Sequence, residues 1–486
     1  MFRDKNVEEF CFGVEIGEDL WSLIPPSSYH ALAGATMIFH LSASNETVGK
    51  KNKRLDLLRQ HSTKCVLGYI SVSSGINESS TDMVFGGHGI IAEHGNILVE
   101  SQRFTFDSQM ILSEIDVDNI RNLRLKNSSF HESFVPSGYR TVVYEGSDPT
   151  KTELTKKMNS HPFIPEDQNE LNERCKEILE IQSSALAKRM KHTGLNKAVI
   201  GVSGGLDSTL ALLAVVKTID KLGLPRENIR AITMPGFGTT DRTYENAIGL
   251  IRAFGADFRE INITKASLQH FEDIGHDPNI HDTTYENVQA RERTQILMDI
   301  ANKEGGLVIG TGDLSEMALG WCTYNGDHMS MYSVNANVPK TLIRHIVKWA
   351  AESSDKEVKD VLNDILDTPI SPELLPKNSE GTISQKTEDI VGPYELHDFF
   401  LYHMIRYGAS PEKILYLACY AFQGKYDEQT IKKWLRKFVW RFFTQQFKRS
   451  CVPDGPKIGS ISLSPRGDWK MPSDAVADLW LKKLDE

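Results

Sequence analysis

The hexapeptide SGGLDS, Ser203 to Ser208, joins the apolar run AVIGV to the long apolar stretch LALLAVV. Its residue types suit an anion. Two glycines let the backbone come close to a ligand and take positive φ. The N–H groups opening a following helix face negative charge, aided by the helix dipole, and two serine hydroxyls add donors. Asp207 is the odd member, because a carboxylate beside a phosphate repels it unless a cation lies between. The loop therefore predicts Mg²⁺ bridging Asp207 and a pyrophosphate. It is not the GxxxxGK[ST] loop, since no lysine follows the glycines, and GxGxxG is absent. The plain alternative is a tight strand-to-helix turn capped by Ser and Asp.

Such a loop needs a strand before it and a helix after it. The chain supplies three such units: KAVIGV into SGGLDSTLALLAVVKTIDKLG, RAITMP into GFGTTDRTYENAIGLIRAFG, and GGLVIGT into GDLSEMALG. Short apolar strands with helical crossovers predict a doubly wound parallel α/β sheet, with ligands beyond the carboxyl ends of the strands. A helix over LNERCKEILEIQSSALAKRMKHTG, ending at Gly194, precedes them. Residues 1–125 show α/β patterning of their own, with a hairpin at GHGIIAEHGNILVESQ. Because Met1 stands only a few residues before the strand EFCFGVEI, an exposed sheet edge is expected there. Residues 126–165, rich in Gly, Pro and polar residues, read as a linker, and 166–486 as the second domain.

The totals exclude several classes. A net charge of −10 argues against nucleic acid as the main partner. The basic, aromatic stretch IKKWLRKFVWRFFTQQFKRS does not reverse this, since Trp434, Phe438 and Phe442 recur every fourth residue as a buried stripe would. The cysteines at 11, 65, 175, 322, 419 and 451 are scattered without a CxxC pair, which fits a reducing, cytoplasmic setting. No apolar run approaches the ~20 residues of a membrane span. No basic-then-apolar leader is visible either, so a protein without a signal segment is expected.

SGGLDS closely resembles the pyrophosphate loop of ATP pyrophosphatases, which activate a carbonyl group with the α-phosphate of ATP. MPGFGTTDRTYENA, DTTYENVQARERTQILMDIAN, GTGDLSEMALGWCTYNGDHMSMYSVNANVPKT and QKTEDIVGPYELHDFFLYH resemble NAD⁺ synthetase, in particular its glutamine-dependent form. The resemblance implies an adenine nucleotide alpha hydrolase-like fold and an ATP site at Gly201, Val202, Ser203, Gly204, Gly205, Leu206, Asp207, Ser208, Thr311 and Lys340. It also implies Mg²⁺ on Asp207 and Glu316. Deamido-NAD would meet Asn287, Arg291, Glu316, Trp321, Cys322, Thr323, Tyr324 and Lys448. Asn287 and Arg291, four apart, share a helix face. Asp207 and Lys340 would be catalytic, working by positioning and charge through an acyl-adenylate. The Gly-, Pro- and Ser-rich tail SCVPDGPKIGSISLSPRGDW reads as a lid. A homo-oligomer is expected.

The N-terminal part resembles the nitrilase-like glutaminase half of the same family, which uses a Glu, a Lys and a Cys in chain order. The family's Cys lies in an elbow similar to FGVEIGEDLW, and here that position is Gly17. The family's Glu and Lys would lie further upstream than this chain reaches. Ser44 and Lys50 correspond to glutamine-contacting positions. The expectation is a synthetase with a truncated, disabled glutaminase that takes free ammonia in place of glutamine. A different amidating ligase and a non-catalytic assembly subunit are the alternatives.

Overall fold

Most apolar runs become strands, and the helices Gln168–Thr193, Thr283–Glu304 and Glu428–Thr444 each begin where a preceding aspartate accepts a first-turn N–H. We analysed a computed structural model that describes residues 1–133, 137–146, 153–368 and 387–485. The chain forms two units, the first comprising Met1–Met158 with Tyr407–Ala409 and the second Asn159–Arg406 with Ser410–Glu486.

Unit one is built on a seven-stranded mixed sheet. Its strands are β1 (Phe2–Asp4), β2 (Cys11–Ile16), β3 (Met37–Ser42), β4 (Gly68–Ser73), β5 (Gly89–Glu93), β6 (Asn96–Glu100) and β7 (Val142–Tyr144), in the order β6-β5-β4-β3-β2-β1-β7. Strands β2, β3 and β4 run parallel, and β5 and β6 form the expected hairpin. Alternation directs Ile38, Tyr69 and Ile90 into a core with Leu55 and Leu58 of helix α1 (Lys50–Cys65). The opposite face carries Val14, Ile16, Leu41 and Val72, which are exposed.

Two expectations need correction here. The edge expected beside β2 is covered, because β1 pairs antiparallel with it and β7 pairs parallel with β1. What this sheet exposes is an apolar face. The stretch 126–165 is also not simply a linker, since β7 and a short helix, Ser128–His131, lie within it. The unit boundary falls at 158/159. Parts of that stretch, 134–136 and 147–152, lie outside the described residues, as do 369–386, which include the first two residues of QKTEDIV.

Unit two carries the doubly wound sheet. Strands β8 (Lys197–Gly201), β9 (Ile229–Thr233), β10 (Asp257–Glu260), β11 (Gly306–Gly310) and β12 (Tyr332–Ser333) are all parallel, in the order β10-β9-β8-β11-β12. Strands β10 and β12 go beyond the three strand–helix units expected. Both are peripheral, and neither the charged DFRE nor the two-residue YS has an apolar signature.

Successive residues of the inner strands supply opposite cores, as a sheet covered on both sides requires. Ala198, Ile200, Leu307 and Ile309 pack with helices α2 (Gln168–Thr193), α3 (Leu206–Lys221) and α7 (Lys340–Glu352), whereas Val199, Ile232 and Val308 pack with Ile263 and Ala301. Between α3 and α7 in sequence lie α4 (Asp241–Ala253), α5 (Thr283–Glu304) and α6 (Leu314–Leu319). Helix α3 is buried almost all round, matching its nearly continuous apolar sequence.

Farther along the chain, α8 (Tyr394–Leu401) packs on α9 (Glu428–Thr444) through Phe400–Phe438 and His397–Phe438 ring contacts. Trp434, Phe438 and Phe442 are core, as their spacing predicts. The tail is irregular but does not read as a free lid. Asp454 O accepts Ser333 N at 2.8 Å, Pro456 O accepts Asn337 Nδ2 at 2.7 Å, and Ile461 and Leu463 are buried. Among the described residues no helix is long and apolar enough to cross a membrane.

Candidate active site

Strands β8 and β11 are neighbours from opposite halves of the sheet, so their carboxyl ends bound the crevice where the winding direction reverses. SGGLDS follows β8 and TGDLSE follows β11. Gly204 has φ of +87°, and a Cβ there would lie 2.0 Å from Thr243 O of α4. Only glycine allows the loop to pass that close. Gly205 N donates to Ser203 Oγ at 3.2 Å, and Ser208 Oγ donates to Gly205 O at 3.0 Å. Leu206 then opens α3, which places Asp207 in its first turn.

Asn335 ties the two loops together. Its Nδ2 donates to Asp207 O at 2.9 Å and Thr311 O at 3.1 Å, while its Oδ1 accepts Gln182 Nε2 at 2.9 Å. Thr311, just past β11, is thereby fixed beside SGGLDS.

Lys340, the first residue of α7, brings the chemistry together. Its ammonium lies 2.7 Å from Asp207 Oδ2, 2.8 Å from Asp313 Oδ2 and 2.9 Å from Glu316 Oε1. Asp313 and Glu316 divide their oxygens between structure and site. Asp313 Oδ1 caps α6 by accepting Glu316 N at 2.8 Å, and Glu316 Oε2 accepts Asp313 N at 3.3 Å. Their other oxygens are thus delivered to the crevice by a capping box.

Burial and the charges of Glu316 and Asp207 push the Asp313 carboxyl well above its ordinary pKa. Burial also raises Glu316, against the pull of Lys340. For Lys340, burial disfavours the ammonium, but the three carboxylates outweigh it and hold the pKa well above the usual lysine value. Asp398 of α8 steadies this end of α7. It accepts Thr341 N at 3.0 Å and Thr341 Oγ1 at 2.6 Å, and it also accepts the Ser315 hydroxyl.

One ligand oxygen each from Asp207, Asp313 and Glu316 lies within 4.8 Å of the others, an all-oxygen set that suits a hard divalent cation. Asp207 Oδ1 is buried without a hydrogen-bond partner, which leaves it free to serve as a ligand. The residues fit Mg²⁺.

Beside this cluster, Thr323 Oγ1 donates to Asn287 Oδ1 at 2.7 Å and Arg291 Nε donates to Tyr324 O at 3.2 Å. Lys448 Nζ donates to Gly320 O at 2.9 Å and Cys322 O at 2.7 Å. Trp321 lies under the Arg441 guanidinium, 5.2 Å from its centre, and exposed Tyr324 stacks on His328. The expected dinucleotide residues therefore converge on one loop, 320–324.

The sequence reading missed Asp313, Asn335 and Asp398. Asp313 had a signal, the D-x-x-E spacing of a capping box, but that pattern announces a helix start and not a ligand. The other two act across long sequence separations and carry no local signature.

In unit one, Gly17 lies just past β2 with φ of +67°, and nothing stands within 4 Å of the position a Cβ would take. Its N donates to Leu41 O at 2.8 Å and its O lies 3.0 Å from His40 Nε2. Ser44 is buried, with its Oγ unpartnered, and Lys50 Nζ is 3.4 Å from Asn45 Oδ1.

Residues 178–437 match the family model described as NAD synthase. The chain is 40% identical to the glutamine-dependent NAD(+) synthetase of Mycobacterium tuberculosis (strain H37Rv), over 100% of this chain and 76% of that protein. It is 29% identical to the protein of the same name from Thermotoga maritima, over 95% of this chain and 74% of that one. Among solved structures, a glutamine-dependent NAD(+) synthetase from Cytophaga hutchinsonii shares the fold with a TM-score of 0.53 at 20% identity, covering 99% of this chain and 74% of that one. These relatives are named for glutamine, and the likeness lends no support to the expectations of free ammonia and a truncated half. The chain belongs to the NAD synthase family, whose members are carbon–nitrogen ligases.

Proposed function

We propose that unit two converts deamido-NAD to NAD⁺ with ATP as co-substrate, releasing AMP and pyrophosphate. The observation that carries this reading is the meeting of Asp207, Asp313, Glu316 and Lys340 beside SGGLDS at the switch point of the sheet. The loop amides and the Ser203 and Ser208 hydroxyls suit a pyrophosphate. Mg²⁺, held by the three carboxylates, would supply positive charge against that leaving group. Lys340 adds its own charge, and Thr311 borders the nucleotide. Asn287, Arg291, the 320–324 loop and Lys448 form the flank for the dinucleotide, with Trp321 or Tyr324 offering a ring to stack on.

The nicotinate carboxylate oxygen attacks the α-phosphorus, the bond to the bridging oxygen breaks, and pyrophosphate leaves. Ammonia then attacks the acyl carbon of the adenylate. The carbon–oxygen bond breaks, AMP departs with that oxygen, and loss of a proton leaves the amide. Positioning and charge carry these steps, without a histidine base.

For the nitrogen, the relatives' names point to glutamine. A second reading, free ammonia, rests on Gly17: a residue whose side chain is one hydrogen forms no thioester. A homo-oligomeric, cytoplasmic enzyme completes the proposal. The test supplies purified protein with ATP, Mg²⁺, deamido-NAD and either ammonium or glutamine. AMP and pyrophosphate formed in step with NAD⁺ support the reading, whereas ADP and phosphate refute it. Equal turnover from glutamine removes the ammonia reading alone.

A further inference from the structure

An ammonium has three N–H donors. Those of Lys340 face three carboxylates, at 2.7, 2.8 and 2.9 Å, so in this arrangement none is left for a phosphate. The same carboxylates are the set that could hold a divalent ion, with ligand oxygens within 4.8 Å of one another. A hole that small takes one cation, because two at contact distance repel. The charges agree. Three carboxylates and one ammonium sum to −2, which one dication balances if the ammonium stays near but yields the centre.

The backbone cannot make this exchange. Lys340 N donates to Ser315 Oγ at 2.9 Å, and Thr341 is held by Asp398. The exchange therefore falls to the side chain, whose Nζ lies 5.3 Å from the Tyr394 ring.

We propose that Lys340 and the divalent cation are alternative counter-ions of Asp207, Asp313 and Glu316, so that filling the metal position releases the lysine ammonium to the phosphates. This rests on the reading of the crevice as a metal–pyrophosphate site. It makes Asp313 a third holder of the cation and Lys340 a charge that is handed over when the metal enters.

The experiment titrates Mn²⁺ into the full chain without nucleotide, reading free Mn²⁺ by electron paramagnetic resonance. Lys340→Met removes the competitor and should bind Mn²⁺ about tenfold tighter than the parent or more, while Lys340→Arg, which keeps the charge, should bind like the parent. Asp313→Asn keeps an N-cap-competent residue but loses one charge, so its affinity should fall by about threefold or more.

Since Lys340→Met strands three carboxylates, the parent provides a second readout. Saturating Mn²⁺ should raise acylation of Lys340 by an amine reagent, followed by peptide mass spectrometry. Equal or weaker Mn²⁺ binding by Lys340→Met, or Lys340 labelling that Mn²⁺ leaves unchanged, overturns the exchange. If Asp207→Asn abolishes binding in those same experiments, the metal reading survives and only the exchange fails. If Mn²⁺ binds neither protein, with or without ATP, the metal reading and the exchange fail together.

Discussion

Two glycines turn the chain just beyond the carboxyl end of a parallel strand, Gly17 after β2 and Gly204 after β8, and both have positive φ, +67° and +87°. Their surroundings differ. Around Gly17 a Cβ would meet nothing within 4 Å, whereas at Gly204 it would lie 2.0 Å from Thr243 O. One elbow has room for a side chain and carries none. The other has no room, because the backbone of α4 stands against it. A glycine at a turn therefore says little by itself. The space around it separates a position that requires glycine from one that merely accommodates it.

The two regions differ in polar convergence as well. Beyond Gly204, Asp207 of α3, Asp313 at the cap of α6 and Glu316 of α6 each lie within 2.9 Å of the Lys340 ammonium of α7. At Gly17 the main chain meets only the Leu41 carbonyl and the His40 ring among these polar contacts.

The largest effect should come from the second region. Asp207→Asn keeps the shape of the turn but removes one of the three carboxylates around Lys340, and turnover should fall by about 10³-fold. Pyrophosphate release measured beside the parent checks this, and a fall of only a few fold would mean that the cluster is structural.

Gly204→Ala should cost about 3 kcal/mol or more, since the methyl group must displace the Thr243 backbone. Thermal melts of both proteins test it, and an unchanged melt would contradict the close approach.

Acid should weaken unit two through α8 and the turn that follows it. Burial lowers His397 and His403 to about 4 each. With the folded pKa below the unfolded one, the unfolded chain binds more protons between the two values, so stability falls as pH drops. It is complete above about 6.5 and lost progressively down to about 4, by roughly 3 kcal/mol per histidine. Urea unfolding across that window should show the loss. His397→Gln, which keeps a donor for Val391 O, should flatten it by about half.

Gly17→Ala carries the smallest effect, only the left-handed penalty of roughly 1 kcal/mol. A loss as large as that of Gly204→Ala would erase the contrast between the two elbows.

Much of unit two was legible because its signals are short. SGGLDS stands between an apolar strand and an apolar helix, Thr311, Glu316 and Lys340 come from the resemblance to NAD⁺ synthetase, and the structure brings Asp207, Glu316 and Lys340 to one point. Asn335 and Asp398 were not legible, since each acts through contacts with residues that only the fold makes neighbours. Asp313 was masked by its own pattern, which serves a helix cap with one oxygen and the site with the other. In unit one, β7 escaped notice because a three-residue strand paired with β1 across some 140 residues leaves no periodicity to read.

The central claim is that the crevice around Asp207 and Lys340 joins a carboxylate oxygen to the α-phosphorus of ATP. Deamido-NAD labelled with ¹⁸O in its nicotinate carboxylate tests this most directly when turned over with ATP, Mg²⁺ and ammonium. The account predicts one ¹⁸O in the phosphate of AMP for each NAD⁺ formed. Label found only in pyrophosphate, in inorganic phosphate or in water would contradict it.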